Sequence, residues 1–455
     1  MTAGIVIVGA GPAGIRAAER LIDHGRAPIL IDEAPRIGGR IYQQPPADAG
    51  FRRDAEALYS TEAAKARDLV TTFERIKARL DYRPGTTVFE ISDNRLIALV
   101  DGRRAEIGFD RLILATGATD RIMPLPGWTL PGVFSLGGAQ IALKHQGCAI
   151  GRRVAFLGSG PLLTLAASQY AKAGIEVAAV VATSSWSGLA LNAIGMAVQL
   201  DTAAKGISHI ATLLARRVPM IGRACPSQIL GTNRVIGLDV LVGGRMQRID
   251  CDAVALGYGL RSESQLAELA GARFAFDREQ NQWLPETDDH GRAVGREGLY
   301  LAGDGAGIQG ADAAELRGKL AANAVLLDLG NAIQDSAREL GVLRRWRRFR
   351  IALDRAMPFP SGLAKSLPDA TILCRCENVT AGEVRAAADQ GLKEINRVKA
   401  ATRLGMGRCQ GRVCGAAGAE VLAARLGLSV DSVGRLRAQP PVKPVPIDAL
   451  AGEAS

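Results

Sequence analysis

The sequence predicts an α/β fold in which two dinucleotide-binding domains precede a small C-terminal α-helical domain. A strand, a glycine-rich turn and a helix follow one another between Ile5 and Gly25, and the same order repeats between Arg153 and Val181. Such βα units build the parallel sheets that bind dinucleotides. Four cysteines follow a proline-marked boundary at residues 366–372, which indicates a separate domain with chemistry of its own.

The first βα unit contains a complete dinucleotide-binding motif. Gly9 allows a tight turn, Gly11 lets a pyrophosphate approach the backbone, and Gly14 lets the helix pack closely on the strand. The N-terminus of the helix then faces the phosphates. The next strand ends in Asp32 and Glu33, where a carboxylate can accept hydrogen bonds from the ribose of an adenosine, and the spacing favours Asp32. An ordinary surface acid at a strand end is the alternative.

Two later segments bear on which nucleotide this site binds. Residues 112–119 (LILATGAT) and 298–307 (GLYLAGDGAG) are apolar strands that run into glycine turns. Both resemble the Rossmann-like flavoproteins with two dinucleotide-binding domains, and that resemblance implies FAD. In that family Asp304 binds the ribityl or pyrophosphate region and Gly38-Gly39 passes close to the cofactor, whereas a helix N-cap is the alternative role for Asp304.

The motif and the resemblance together define one set of expected cofactor-binding residues. They are Gly9, Gly11, Pro12, Ala13, Gly14, Asp32, Glu33, Gly39, Arg40, Ala115, Thr116, Gly117, Gly303 and Asp304. Because adenosine recognition is similar for FAD, NAD and ATP, ATP in place of FAD stays open.

The second unit departs from the motif in two ways. Leu163 stands where the third glycine is expected, and the second strand runs into Val181, Ala182 and Thr183 without the acid that binds NAD or an arginine for the phosphate of NADP. We expect a degenerate NAD(P)-like domain that has lost its nicotinamide. An atypical but working site is the alternative, and it would make the chain a stand-alone NAD(P)H-dependent flavin/[2Fe–2S] reductase.

The four C-terminal cysteines form two pairs, Cys374 and Cys376 in CRC and Cys409 and Cys414 in CQGRVC. Four thiolates suit an iron–sulfur cluster, whereas structural zinc, the alternative, more often uses C-x₂₋₄-C pairs. The 32 residues from 377 to 408 leave room for two short helices that bring the pairs together. The block TRLGMGRCQGRVCG resembles the [2Fe–2S] module of bacterioferritin-associated ferredoxin. That resemblance implies that all four cysteines are metal ligands and that backbone amides approach the sulfurs.

The remaining cysteines, Cys148, Cys225 and Cys251, are expected to be small buried residues. No CxxC lies beside the flavin segments, so the dithiol relay of disulfide reductases is not expected. The formal charge of +10 is compatible with nucleic-acid binding, but no binding motif accompanies it, and we expect no nucleic-acid partner.

Two segments have compositions that suggest a partner. The basic run at 344–350 (RRWRRFR) has helical composition, and because Trp346 and Phe349 interrupt the arginines we expect a partner surface, with a solvated face as the alternative. Residues 187–217 are apolar and helical in composition. We expect them to pack in the core, and a partner interface is the alternative.

These observations divide the chain into five parts. They are a discontinuous FAD-binding domain (1–120 and 251–330), a degenerate NAD(P)-like domain (121–250), a helical linker (331–370), a [2Fe–2S] domain (371–430) and a proline-rich tail that docks in an extended form (431–455). No apolar run reaches the ~20 residues that span a bilayer, and no leader precedes the first strand. We expect a cytoplasmic protein, either free in solution or peripheral to the inner membrane.

The combination of a flavin fold without a dithiol, a degenerate second domain and the cysteine module resembles the α subunits of bacterial heteromeric FAD/[2Fe–2S] amino-acid dehydrogenases. That group includes opine oxidases, D-hydroxyproline and proline dehydrogenases, and hydrogen cyanide synthase. The resemblance implies an FAD-containing, amine-oxidase-like β subunit that oxidises the C–N bond, in some members a small [2Fe–2S] γ subunit, and in some FMN at a subunit interface. The α subunit would relay electrons. A non-catalytic subunit that only binds a nucleotide is a further alternative.

Overall fold

The computed structural model describes residues 4–46, 54–333 and 335–451. Two parallel sheets of five strands each form its framework. The predicted α/β class with two Rossmann-like units and a helical C-terminal region is confirmed.

The first part of the chain forms β1 (Ile5–Val8), α1 (Pro12–Asp23), β2 (Ile29–Ile31), α2 (Ala55–Tyr59), α3 (Ala63–Ile76), β3 (Asp81–Arg83), β4 (Thr87–Ser92), β5 (Arg95–Val100), β6 (Arg103–Gly108), β7 (Arg111–Leu114) and β8 (Ala118–Asp120). The second part forms β9 (Val133–Ser135), α4 (Leu136–Lys144), β10 (Arg153–Ser159), α5 (Pro161–Lys172), β11 (Glu176–Ala182), α6 (Ser187–Leu191), α7 (Ala193–Met196), α8 (Leu200–Ala215), β12 (Met220–Ile221), β13 (Cys225–Gly231), β14 (Val235–Val242), β15 (Arg245–Asp250) and β16 (Ala253–Tyr258).

The chain continues with β17 (Leu260–Ser262), α9 (Gln265–Leu269), β18 (Phe274–Asp277), β19 (Gln282–Pro285), β20 (Leu299–Leu301), α10 (Ala311–Asp328), α11 (Ala337–Ala356) and α12 (Leu363–Ser366). It ends with β21 (Ile372–Cys374), β22 (Val379–Thr380), α13 (Ala381–Asp389), α14 (Ile395–Thr402), α15 (Cys414–Leu426) and α16 (Ile447–Ala451). Short 3₁₀ turns cover Ser60–Glu62, Lys77–Arg79, Ala197–Gln199, Gly303–Ala306 and Val430–Val433.

The first sheet has the order β20-β7-β1-β2-β3. Its central strand β1 is the buried run IVIV, in which Val6 pairs with Ile29 on one side and with Leu112 on the other. Apolar residues on both faces are typical of a parallel strand covered from both sides. Helices α1, α3 and α10 cover one face, and the antiparallel sheet of β4, β5 and β6 covers the other.

The second sheet has the order β12-β11-β10-β16-β9, and it corrects one predicted domain boundary. Strand β16 lies between β10 and β9, so residues 251–258 belong to the second unit and not to the first. The chain returns to the first unit at β17, where Leu260 pairs with Asp120 of β8. A buried apolar strand such as β16 fits either sheet equally well, so its composition does not indicate which sheet it joins.

The C-terminal module packs directly on the second unit. One continuous hydrophobic core contains residues of both, including Trp128 and Leu256 from the second unit and Leu373 and Val421 from the module. The indole N–H of Trp128 donates a hydrogen bond to the Ile372 carbonyl at 2.6 Å. The two short helices expected between the cysteine pairs are present as α13 and α14.

The tail beyond the module crosses the first unit. Val442 is fully buried in the core beneath β4–β6, and its N–H donates to the carbonyl of Phe89 at 2.9 Å. Lys443 forms an ion pair with Glu33 at 2.8 Å. The tail ends in the short helix α16, and residues 452–455 lie outside the described part of the chain.

Three other expectations about burial are wrong. In α8 only Leu213 is buried, and α6 and α7 contain no buried residue, so the apolar segment at 187–217 is not core. Trp346 and Phe349 are buried against neighbouring helices, so these two aromatic side chains are not available to a partner, although four arginines of the same run are exposed. Among the extra cysteines, Cys251 is buried but the other two are exposed.

Within the described residues, no helix has both the length and the apolar composition needed to cross a membrane.

Candidate functional site

The first glycine turn fits closely between β1 and α1. A Cβ at Gly14 would lie 1.8 Å from the carbonyl oxygen of Gly9, and a Cβ at Gly9 would lie 2.3 Å from the carbonyl oxygen of Ala115. A Cβ at Gly11 would meet only the backbone of Gly39. Pro12 opens helix α1, so the N-terminus of that helix begins directly at the turn. The turn therefore has the close backbone packing that a pyrophosphate site requires.

The two strand-end acids have different roles. Asp32 is not a surface acid, because its carboxylate accepts hydrogen bonds from the N–H of Ala10 at 2.5 Å and of Ala34 at 2.7 Å. Burial raises the pKa of Asp32, and these two N–H groups partly offset the rise. Glu33 instead contacts Lys443 of the tail and, at 3.5 Å, Arg40. Asp32 thus stabilises the glycine turn through Ala10. It lies at the end of β2, where the motif also predicts a contact to the ribose.

The turn after β20 is held by the aspartate and by an arginine. Asp304 Oδ1 accepts hydrogen bonds from the N–H of Gln309 at 2.9 Å and of Gly310 at 3.1 Å, just before α10 begins. Asp304 is not the N-cap of α10, because that position is Gly310, and the cofactor contact of Asp304 stays a prediction. Arg317, which the sequence did not single out, donates to the carbonyls of Gly303 and Gly307 at 3.1 and 3.0 Å.

Three buried polar atoms near these turns have no hydrogen-bond partner among the described residues. They are Gln43 Oε1, Thr119 Oγ1 and Gln309 Oε1. Each follows one of the expected cofactor segments, after Gly39-Arg40, after residues 115–117 and after Gly303-Asp304 respectively. Because buried polar atoms in native proteins are nearly always paired, these three atoms fit a polar ligand at the carboxyl edge of the first sheet.

The second glycine turn departs from the dinucleotide-binding motif at two positions, and the loss of nicotinamide binding stays a prediction. A Cβ at Gly158 would lie 1.6 Å from the carbonyl of Gly257, so the turn is still tight. Leu163, however, is buried in the core beneath α5, where the third glycine would let the helix approach the strand. Strand β11 ends at Ala182, and the N–H of Thr183 donates to the Gly158 carbonyl at 2.9 Å. The sequence that follows this strand, TSSW, contains no carboxylate.

The four C-terminal cysteines meet at one place. Cys374 ends β21, Cys414 opens α15, and Cys376 and Cys409 lie in the adjacent turns. The Cys414 thiol shares hydrogen bonds with Cys374 and with Cys409, and Cys376 does so with Cys409. The Cys414 hydrogen bond lowers the pKa of Cys374 to about 6 and that of Cys409 to about 5. Cys374 and Cys409 are thus the two sulfurs of the set whose deprotonation these contacts favour.

Backbone groups also approach these sulfurs. The N–H groups of Gly405 and Gly411 contribute to the lowered pKa values of Cys374 and Cys409 respectively. Gly407 lets the backbone pass close to Cys376, because a Cβ there would lie 2.1 Å from the cysteine Cβ. A thiolate set with N–H donors has the donor chemistry of an iron–sulfur site. Within the described ranges no three His, Cys, Asp or Glu side chains are arranged to hold a metal ion, so the cluster stays a prediction.

A three-residue segment, residues 261–263, joins the two candidate sites, and we name it the bridge segment. On the flavin side, Ser262 Oγ donates to the carbonyl of Asp304 at 2.6 Å. The N–H of Glu263 donates to the Gly117 carbonyl at 2.9 Å, and Thr116 Oγ1 donates to the Glu263 carbonyl. The bridge segment thus fixes two of the three turns expected to hold FAD.

On the cysteine side, the same segment holds the loop between Cys409 and Cys414. Arg261 is half-buried and donates to the carbonyl of Arg412 at 3.0 Å. The Arg412 guanidinium contacts both oxygens of the Glu263 carboxylate, at 2.7 and 3.2 Å. Burial acts to raise the pKa of Glu263, but Arg412, Arg261 and Lys443 together outweigh burial and lower it. In the sequence, only an unusual RSE triplet after an apolar strand marks this contact.

Comparison with protein families follows the two-part organisation of the chain. Residues 3–325 match the family described as pyridine nucleotide-disulphide oxidoreductase, and residues 370–453 match the sarcosine oxidase A3 domain. The chain belongs to the pyridine nucleotide-disulphide oxidoreductase family. FAD is the cofactor that this fold supports for the first site, in agreement with the glycine turn and the unpaired polar atoms.

Relatives of similar length place the chain within one branch of this family. The opine oxidase A subunit of Rhizobium meliloti is 35% identical, with 98% of this chain and 87% of that protein covered. The HcnB subunit of hydrogen cyanide synthase from Pseudomonas aeruginosa is 31% identical, with 98% and 97% covered. The predicted family, the α subunits of heteromeric flavin-dependent oxidases, is therefore confirmed. The crystal structure of L-proline dehydrogenase from P. horikoshii shares the fold, with a TM-score of 0.72, 22% identity, and 98% and 79% covered.

Proposed function

We propose that this chain is the electron-transfer α subunit of a heteromeric amino-acid or opine dehydrogenase. In a partner β subunit of amine-oxidase type, the carbon of a C–N bond would give a hydride to that subunit's own flavin while the nitrogen loses a proton to water, and an imine would form. The first site of this chain would hold FAD, and Cys374, Cys376, Cys409 and Cys414 would hold a [2Fe–2S] cluster; together these groups would supply the means to pass the two electrons on one at a time. A quinone or a soluble one-electron carrier accepts them. The names of the relatives and the donor set of the cysteines support this proposal.

The observation on which the proposal depends is the bridge segment. Ser262 and Glu263 contact the turns at Asp304 and Gly117, and Glu263 also contacts Arg412 between the second pair of cysteines. A bound flavin can take two electrons at once and release them one at a time, which is what a one-electron cluster requires of its donor. The bridge segment holds the protein around both sites in one fixed arrangement.

The proposed direction of electron flow follows from burial and from the second dinucleotide turn. Cys374 and Cys414 are buried, whereas Cys376 is exposed. The electron acceptor would therefore approach the cluster from the Cys376 side. The second turn has Leu163 and no strand-end acid, which disfavours reduction by NAD(P)H. The electrons would therefore come from the partner protein, and the reductase alternative receives no support from this site.

Anaerobic visible spectroscopy tests the proposal. The chain is produced alone and together with the amine-oxidase-like product of a neighbouring gene, and spectra are recorded before and after addition of NADH and then of candidate amino acids. We expect flavin and cluster bands that bleach only when both the partner and an amino acid are present. Bleaching of the isolated chain by NADH would instead identify a reductase.

Variants and cofactor analysis test the two sites separately. Cys376→Ser should lose iron and the cluster bands but keep flavin, and Cys225→Ser, another exposed cysteine outside the module, should keep both. Chromatography of the released nucleotides distinguishes FAD from ATP in the first site and detects FMN only if the complex holds it at a subunit interface. A chain that contains zinc and no iron would contradict the cluster.

A further inference from the structure

The outward side of the second unit has a cluster of exposed apolar side chains. Six large residues from α6, α7, α8 and the turn between α7 and α8 form it, and we name it the apolar platform. They are Leu191, Ile194, Val198, Leu200, Ile207 and Leu214. Ile194 is 90% exposed and Ile207 is 67% exposed. Contiguous exposed apolar surface of this kind marks an interaction site in soluble proteins, whereas single exposed residues do not.

Helix α8 shows that the exposure follows one helical face. Its exposed apolar residues recur at intervals of three and four, at Leu200, Ala204, Ile207, Ala211 and Leu214, and this spacing places them on one side. An ordinary surface helix turns such a stripe toward the core and its polar side to water. In α8 the apolar stripe faces outward, so packing within this chain does not explain why these positions are apolar.

Helix α8 of the apolar platform is held in place by contacts with other parts of the chain. Lys205 of α8 forms an ion pair with Glu62 of the first unit, and His209 Nδ1 lies 3.0 Å from Ser168 Oγ of α5. Contacts on both sides therefore fix α8 across the two units. A surface that is ordered before binding loses less conformational entropy when a partner docks.

Glycines allow the rest of the platform to rest directly on α11. A Cβ at Gly195 would lie 2.6 Å from the Cβ of Ala352, and a Cβ at Gly188 would lie 2.8 Å from the carbonyl oxygen of Ala356. Met196 packs beside Trp346 in the same small core. Helices α6 and α7, which carry part of the apolar platform, thus pack directly against α11.

Helix α11, against which α6 and α7 pack, carries four exposed arginines, and we name them the arginine border. Arg344, Arg345, Arg347 and Arg348 are exposed, and none of them has an ion-pair partner among the described residues. Arg350, by contrast, pairs with Asp354 in the same helix. Unpaired arginines beside an apolar surface match a partner with an apolar centre and a carboxylate-rich rim.

We propose that the apolar platform and its arginine border are the docking surface for the amine-oxidising subunit of the complex, so this inference rests on the proposed function. Contact through this surface between two copies of the chain would bring eight unpaired arginines together in a protein that already has a formal charge of +10, and like charges disfavour that contact. A membrane is disfavoured as well, because the exposed face of α8 contains Asp201, small alanines and no aromatic residue.

Sedimentation of the chain with the amine-oxidase-like product of the neighbouring gene tests the surface. Ile194→Glu and Ile207→Glu place a charge on exposed positions, so folding is unaffected, and each should weaken binding by roughly 100-fold, as loss of a central contact does. Ile236→Glu is the matched control, because Ile236 is 52% exposed on β14, away from the platform, and it should change binding by less than about 3-fold. Arg345→Glu combined with Arg348→Glu should slow association and reduce its dependence on salt.

Three results of these binding experiments would overturn the proposed docking surface. Normal binding of the partner by both isoleucine variants would exclude the platform as the docking surface. Flotation of the parent chain with phosphatidylglycerol vesicles, lost in Ile207→Glu, would assign the surface to a membrane, and a dimer of the chain alone that Ile207→Glu dissociates would assign it to self-association. Binding is measured without turnover, so a complex that forms through the platform but oxidises no amino acid refutes the proposed function and leaves the docking surface intact.

Discussion

The buried ion pair between Arg412 and Glu263 gives the most demanding test of how the C-terminal module is attached. The two side chains are 12% and 11% exposed, and the guanidinium contacts both carboxylate oxygens. Arg412→Ala leaves the Glu263 carboxylate buried without its main partner. Loss of one member of a buried pair costs about 3 to 5 kcal/mol, because the charge that is left has neither water nor a counter-ion.

The lower end of that range applies here. Arg261 also lowers the pKa of Glu263, so part of the compensation survives in the variant. A cost of about 3 kcal/mol corresponds to a change of roughly 150-fold in an equilibrium constant.

The contribution of the ion pair to stability depends on pH. Because the folded pKa of Glu263 is lowered, the stabilisation is full above the unfolded pKa of about 4.3 and is lost as the pH falls through the lower folded value.

Amide hydrogen exchange of the peptides that cover α15 measures the effect, because it reports the free energy of local opening. We expect protection at pH 7 to fall by roughly 150-fold in Arg412→Ala. Arg425→Ala is the matched control: Arg425 also contacts both oxygens of a carboxylate, that of Asp389, but both side chains are about half exposed. An exposed pair contributes about 0 to 1 kcal/mol. Equal, small effects of the two variants would refute the reasoning from burial.

Three further predictions concern other parts of the chain. Gly318→Ala should destabilise the fold and prevent FAD retention, because a Cβ there would lie 2.0 Å from the carbonyl oxygen of Ala13. Gly206→Ala in α8 is the control: its Cβ meets no atom, so flavin content should be unchanged and the thermal midpoint should rise slightly, since alanine favours a helix more than glycine does. Burial lowers the pKa of Lys144 to about 8, so Lys144→Met should stabilise the chain by about 3 kcal/mol at pH 7. For the same reason, urea titrations of the parent chain should show its stability rising from pH 8 to 10.5. A stability that does not change over this pH range would contradict the prediction. Iodoacetamide followed by peptide mass spectrometry should modify Cys225 but not Cys251, whose pKa burial raises to about 12, and equal labelling would count against that environment.

Much of the fold could be predicted because its signals are local. Strand β1 begins and ends where the run IVIV does, and Pro12 and Gly14 define the start and the packing of α1. The two helices between the cysteine pairs follow from chain length and composition alone. Asp32 could be placed at the glycine turn because its distance from Gly9 is fixed by one strand, one helix and one more strand.

The errors and omissions involve contacts between segments that are distant in sequence. Strand β16 is apolar whichever sheet it joins, so the boundary near residue 251 could not be placed from composition. Trp346 and Phe349 are buried because α7, α8 and α10 pack around α11, and Arg261 contacts Arg412 across about 150 residues. A single sequence contains no signal for such pairings, and the docking position of Val442 beneath β4–β6 belongs to the same class.

The strand order of the first sheet has a consequence for biosynthesis. Strand β7 pairs with β1 on one side, but its other neighbour, β20, begins only at Leu299. At ribosomal rates of about 5 to 20 residues per second, that edge stays unpaired for on the order of ten seconds or more while the second unit emerges. An open apolar strand edge invites pairing with other nascent chains. Growth temperature and chaperone supply should therefore govern the soluble yield of this protein more strongly than its final stability does.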